Sequence, residues 1–314
     1  MQRHLKFTRT ALVLSLLLVV SLTPALAQNT ALNTQTNPAL LIGVYYHAIN
    51  AHDYATAYSY WEQPDAQTAA EFAQGFADTT SAHVLVRLPV FVDAGAGNLY
   101  AAIPTLITST HTDGSTHYYA GCFTAHKTNV PVGNATEPDP NWYIQKGDFQ
   151  EQATLNLSAL DTVCDNTYSL GNDPGMGQPA SPVDVIQTYL DQVASAQTLP
   201  EAVQAASYWV NPGTGDVLQG SYGDQLLYST GLEAYINPDV SYVPSSPVRV
   251  PVFINATRPD QSNLMLVACL STQVLDVPPG NSTAAYPTWY LTDGVINPVS
   301  TVPDAVNLLD TICS

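Results

Sequence analysis

Apolar positions change period along the first third of the chain, and the change separates helices from strands. From Pro38, the residues Leu40, Leu41, Val44, Tyr45, Ala48 and Ile49 recur at the i, i+3, i+4 spacing of an amphipathic helix, which Asn50 to His52 break. Asp53 then stands where an N-cap belongs, with Tyr54, Tyr58 and Trp61 on one face of a second helix. The stretch from Ala66 to Phe76, with Phe72 and Phe76 four apart, predicts a third. From His83 the period falls to two: Val84, Val86, Leu88 and Val90 alternate with His83, Leu85, Arg87 and Pro89, and Gly95 to Gly97 predict a turn. Two longer strands, Leu99 to Thr110 and Ser115 to Lys127, meet at Asp113-Gly114, a hairpin signal. Asn141 to Phe149 reads as the last strand of this half.

The same plan then repeats. Shifting the chain by 147 residues lays Pro104 on Pro251, Asp113 on Asp260, Cys122 on Cys269, Trp142 on Trp289, Tyr143 on Tyr290 and Gly147 on Gly294 without a gap. Ser59-Tyr60-Trp61 matches Ser207-Tyr208-Trp209, and Leu160 to Cys164 matches Leu309 to Cys313. A rival register, laying Arg87-Leu88-Pro89 on Arg249-Val250-Pro251, requires two compensating indels of about 15 residues, so the gapless one is preferred. In the second half Val185, Ile186, Tyr189 and Val193 predict a first helix and Pro200 to Trp209 a second, with strands near Leu232, Val248, Leu264 and Thr288. Pro104 and Pro251 lie mid-strand, and proline cannot donate to a ladder, so each should mark a bulge or an edge.

These elements predict an α+β chain of two tandem repeats, each three helices packed on a curved antiparallel sheet of about four strands. The boundaries follow: residues 1–27 as a signal peptide, 28–37 as a disordered N-terminus, 38–164 and 182–314 as two cone-shaped domains, and 165–181 as a Gly- and Pro-rich linker. Four sets of residues carry a resemblance to a known superfamily. They are Tyr45-Tyr46 with Asn50, Asp53-Tyr54, Ala57-Tyr58 and Trp61; Glu71-Phe72 with Gly75-Phe76; Tyr119-Ala120-Gly121-Cys122-Phe123; and Trp142-Tyr143-Ile144. In these the chain resembles the nuclear transport factor two-like superfamily, whose α+β cone is also used by ketosteroid isomerases. The resemblance implies a fold and leaves activity open, because that superfamily holds enzymes, binding modules and interaction domains alike.

Composition narrows the setting. Arg3, Lys6 and Arg9 precede an apolar run from Ala11 to Leu22 and an Ala25-Leu26-Ala27 cleavage site, so the mature chain is expected to begin near Gln28 and to lie outside the cytoplasm. Removing that segment leaves five basic residues against 26 acidic, a formal charge of −21. Such a surface disfavours nucleic acid and anionic membranes as partners. Four cysteines at matching places in an exported chain predict one bridge per half, Cys122 to Cys164 and Cys269 to Cys313.

Candidate chemistry is sparse. All six histidines of the mature chain, His47, His52, His83, His111, His117 and His126, fall in the first half. His111, Asp113 and His117 flank one hairpin but lack a zinc-motif spacing, and Asp113 is already explained by the turn, so neither metal nor cofactor is expected. Isomerase-type acid–base chemistry needs a buried carboxylate, whereas Asp53, Asp78, Asp93 and Asp113 all sit at caps or turns. No G-x-S-x-G motif is present for a nucleophile. Tyr46, Tyr119 and Trp142 are the candidate lining of a cleft for an apolar ligand or glycan. The expectation is therefore a non-catalytic binding or protein-interaction module whose partner is a small molecule, glycan or protein. The alternatives are a small-molecule isomerase or hydrolase using the first half and a structural cell-surface spacer.

Overall fold

The computed structural model describes residues 34–62, 67–133, 135–164, 181–196, 208–210, 226, 229–239, 247–275 and 288–314. The first half contains α1 (Pro38–Asn50), α2 (Tyr54–Ser59), α3 (Ala69–Gln74) and strands β1 (Thr79–Leu88), β2 (Phe91–Gly95), β3 (Asn98–His111), β4 (Thr116–Thr128) and β5 (Tyr143–Gln152). The second contains α4 (Pro182–Ser195), β6 (Gly231–Ile236), β7 (Val248–Thr257), β8 (Asn263–Leu275), β9 (Thr288–Val299) and α5 (Val302–Leu309). Caps fall where the side chains prescribe them. Asn37 accepts from the Ala39 and Leu40 amides, Asp53 from Thr56, and Thr68 and Glu71 form a reciprocal capping box.

The expectation of two separate cones, each with three helices on about four strands, is overturned. The nine strands of the described residues form one antiparallel sheet in the order β5-β4-β3-β1-β6-β7-β8-β9, with β2 added to β3. The join is β1 against β6, where Val86 pairs with Ile236, Arg87 with Tyr235 and Leu88 with Ala234. Alternation alone cannot reveal such a join, because it shows that a strand is buried and not which strand it pairs with. The second half's described residues hold α4 and α5, and the helix expected from Pro200 to Trp209 falls largely on residues outside the description.

The join is two-fold in character. Aligning Trp61 with Trp209 places Arg87 on Tyr235, so two equivalent strands run antiparallel about a point between equivalent residues. Symmetry-related contacts surround it. The α1 cap Asn37 donates to the α4 cap Ser181 at 3.0 Å and to Asp184 at 2.8 Å. Gly43 of α1 lies against the Pro238 carbonyl of the second half, and its counterpart on α4, Gln187, accepts from the Val90 amide of the first. A Cβ on Gly43 would stand 2.0 Å from that carbonyl oxygen, which explains a glycine in mid-helix.

Both faces of the sheet's centre are covered. On one, α1 and α4 bury Leu41, Tyr45, Ile186 and Tyr189 against Val84, Val86, Ile103, Phe123, Val252, Ile254 and Leu266. On the other, Leu85, Leu106, Tyr235, Phe253 and Val267 meet Leu157 and Leu160 of a 3-10 turn, together with Ala305 and Leu309 of α5. This second core draws from both halves. The disulfides Cys122–Cys164 and Cys269–Cys313 form as expected and fasten these two covering segments to β4 and β8.

The gapless register holds in detail. Pro104 lies opposite Cys122 and Pro251 opposite Cys269, and both β5 and β9 carry an extra residue at the same place, Gln145 and Thr292. The prolines themselves are neither bulged nor on an outer strand. Each lies one residue beyond the last rung of its neighbour, Val86 opposite Thr105 and Ile236 opposite Val252, so the missing N–H falls where that strand departs. The N-terminus is more ordered than its polar composition suggests: Thr34–Thr36 make a 3-10 turn and Asn37 is buried. Residues 28–33 and the linker positions 165–180 lie outside the description.

Candidate functional site

Two of the three aromatic residues read as a cleft lining belong to the core under α1. Tyr46 is buried between Tyr45, 4.9 Å away, and Phe123, 6.3 Å away, and burial pushes its phenol well above the usual range. Trp142 is buried, and its amide donates to the Gln35 carbonyl. Tyr119 is half-buried on β4 and stacks on His117 at 6.4 Å. Among the described residues no ring contact joins any two of the three.

The hairpin histidines are engaged in structure. His111 meets Ser109 at 3.0 Å and Asp78 at 3.4 Å; His117 meets Glu151 at 2.7 Å and Ser115 at 3.1 Å. Asp113 accepts from the Ser115 amide, and the Ser115 hydrogen bonds hold its carboxyl below the usual range. Among the described residues no cluster of three or more ligating side chains is arranged to hold a metal ion.

A different set of side chains converges beside Trp142. The bulge at Gln145 lets the chain at Tyr60–Glu62 run along the start of β5. There the Ile144 amide donates to the Tyr60 carbonyl and the Glu62 amide to the Ile144 carbonyl. Trp61 forms a parallel bridge with Ile144 and its neighbour Glu62 reaches His126. His126, on β4 between Tyr100 of β3 and Tyr143 of β5, has Nδ1 2.6 Å from Glu62 and Nε2 2.9 Å from Asn98, with the Tyr100 ring stacked at 4.8 Å. The next residue, Lys127, holds its ammonium 5.8 Å from the centre of the Trp142 ring. Burial pulls the Lys127 ammonium below the usual lysine range, with nearby Asp139 acting in the opposite sense.

Glu62, His126, Lys127, Thr128, Asn141 and Tyr143 line a cleft of about 150 Å³. At its edge Asp139 accepts from the Asn141 amide and the Tyr143 hydroxyl, fixing the loop that leads into β5. The second half keeps the frame and loses the chemistry. Trp209 bridges Leu291 as Trp61 bridges Ile144, yet Val210 replaces Glu62, Gln273 replaces His126 and Val274 replaces Lys127.

Of these residues, His126 was conspicuous in the sequence as one of six histidines confined to one half, and Tyr143 as a position matched in the repeat. Glu62 and Lys127 gave no signal singly. The charged-to-apolar replacements, Glu62 by Val210 where Trp61 matches Trp209 and Lys127 by Val274 along the gapless register, are the pattern that marks the set. Comparisons with protein-family models, curated proteins and solved structures find no match to the chain.

Proposed function

We propose that the mature chain is an exported, non-catalytic binding module that takes a small polar ligand in the Glu62–His126–Lys127 cleft of its first half. One observation carries this reading: charged groups gather in a partly buried cleft in one half, while the other half builds the same backbone frame with Val210 and Val274 in their places. A frame that folds without those charges does not need them for folding, which leaves recognition as their role. Binding is favoured over catalysis because the cleft's histidine and tyrosine are already engaged by neighbouring side chains. Both His126 nitrogens face oxygen atoms and the Tyr143 hydroxyl is spent on Asp139, so no acid–base pair is aimed into open space.

Export is supported by the amino-terminal pattern and by the two disulfides. Among the described residues no helix is long and apolar enough to cross a membrane. The formal charge of −21 after removal of residues 1–27 argues against nucleic acid as the partner. Kinship with the nuclear transport factor two-like superfamily belongs to the same reading, supported by α1 packing across β1, β3 and β5.

The test is residue-resolved NMR of the mature chain titrated with a panel of small polar solutes. The binding reading expects at least one solute to move the resonances of residues 62, 126–128 and 141–143 saturably. If nothing in the panel moves them, a spacer takes its place, a role that the burial of Tyr46 and Trp142 would also suit.

A further inference from the structure

Lys127 stands apart from the other cations. In a chain rich in carboxylates, Arg87 pairs with Asp161 and Glu233, and Lys146 pairs with Asp148. Lys127 forms no ion pair or hydrogen bond among the described residues, although it is half-buried. The carboxylate nearest in effect, Asp139, has both oxygens occupied by Asn141 and Tyr143. A half-buried ammonium without an oxygen partner forfeits hydration that the aromatic face of Trp142 only partly replaces. Its natural complement is a carboxylate brought from outside, through a charge-assisted hydrogen bond.

The surroundings define the rest of such a ligand. Thr128, Asn141 and Glu62 put hydroxyl, amide and carboxylate groups along the same cleft, which suits ligand hydroxyls. At about 150 Å³ the cleft is smaller than a typical drug-sized site and takes one sugar-sized unit. Resting on the binding reading above, we infer that Lys127 is the anchor for the carboxylate of a polyhydroxylated acid of single-sugar size, a uronate, either free or as the terminal unit of an acidic glycan. The chain's overall negative charge slows the approach of such a ligand. At physiological ionic strength the field is screened beyond about 8 Å, so the contact itself is governed by Lys127.

The experiment is calorimetric titration of the mature chain with glucuronate, with glucose as the neutral match in size, and with an oligosaccharide ending in glucuronate. Glucuronate is expected to bind at least tenfold more tightly than glucose, and Lys127→Met to bring it down to the glucose level, while Lys127→Arg retains most of the difference. Near-UV circular dichroism of each variant checks that Trp142 stays packed, and the Lys127 Cε resonance of the unaltered chain must move with glucuronate and not with glucose. Saturation by the free sugar acid identifies the free source, and binding confined to the oligosaccharide identifies the glycan terminus. Equal affinity for glucose and glucuronate, or full retention in Lys127→Met, overturns the carboxylate assignment and leaves the binding reading standing. Absence of binding by all three ligands also overturns it, and the broader solute panel then decides separately whether the cleft binds anything.

Discussion

The two halves share what the backbone must do and differ in what the side chains offer. Both carry a helix opened by a polar N-cap and proline, a bulge at Gln145 or Thr292, a tryptophan bridged to the last strand, and a disulfide fastening a covering segment to the sheet. They part at the end of β4, where Glu62, His126 and Lys127 face Val210, Gln273 and Val274 as counterparts. They part again at the join, where Gly43 answers to Gln187. The comparison separates two kinds of constraint: the bulges, bridged tryptophans and cross-links match in both halves, while the charged groups of the cleft occur in one.

The comparison breaks first at the disulfides. Each closes a loop of 42 to 44 residues in sequence separation, so replacing either pair by serine is expected to cost about 4 kcal/mol. Because one sheet and one opposite-face core run through both halves, either loss should lower a single unfolding transition as followed by calorimetry. Two well-separated transitions would show the halves to be independent in spite of the β1–β6 join.

The next effect is asymmetric. Gly43→Ala drives a methyl group into the Pro238 carbonyl, and overpacking of this kind costs about 1–3 kcal/mol or more. Gln187→Ala removes only the acceptor of the Val90 amide, expected to cost about 1 kcal/mol. Denaturant melts of the two variants should rank them in that order, and the reverse order would contradict the account of the join.

The smallest effect depends on pH. His83 of the first half meets Asp310 of the second at 3.5 Å, and the hydrogen bond to Asp310 raises the His83 pKa, opposed by burial. A raised folded-state pKa means that the stabilisation is fully present below the unfolded value of about 6.5 and is lost as pH rises through the folded value. Both groups are partly exposed, so Asp310→Asn should cost well under 1 kcal/mol near pH 5.5 and nothing measurable at pH 8.5. A cost that grows with pH would carry the wrong sign.

Much of the fold was legible because it follows from local rules. The helix at Pro38, the Asp53 cap, the Asp113-Gly114 turn and the pairing of cysteines are written in period, capping chemistry and repetition. What escaped was non-local. The β1–β6 ladder rests on three residue pairs whose partners lie far apart in sequence, and each strand alone reads as an ordinary buried strand. Strand β2 follows Pro89 and is half-exposed, so its alternation is weak, and α5 is short. Tyr46, Tyr119 and Trp142 were conspicuous as aromatics, yet Tyr46 and Trp142 are buried in the core. The cleft depends on Glu62 and Lys127, which are 65 positions apart and come to line one cleft because Tyr60–Glu62 runs beside β5.

The most direct test of this specialisation gives the first half the second half's residues in the triple variant Glu62→Val, His126→Gln, Lys127→Val. It is titrated with whichever small polar ligand moves the cleft resonances of the unaltered chain. The account predicts at least a hundredfold loss of affinity with the single cooperative melt retained, because Val210, Gln273 and Val274 occupy the same frame in the second half. Retained affinity in a folded triple variant would contradict it.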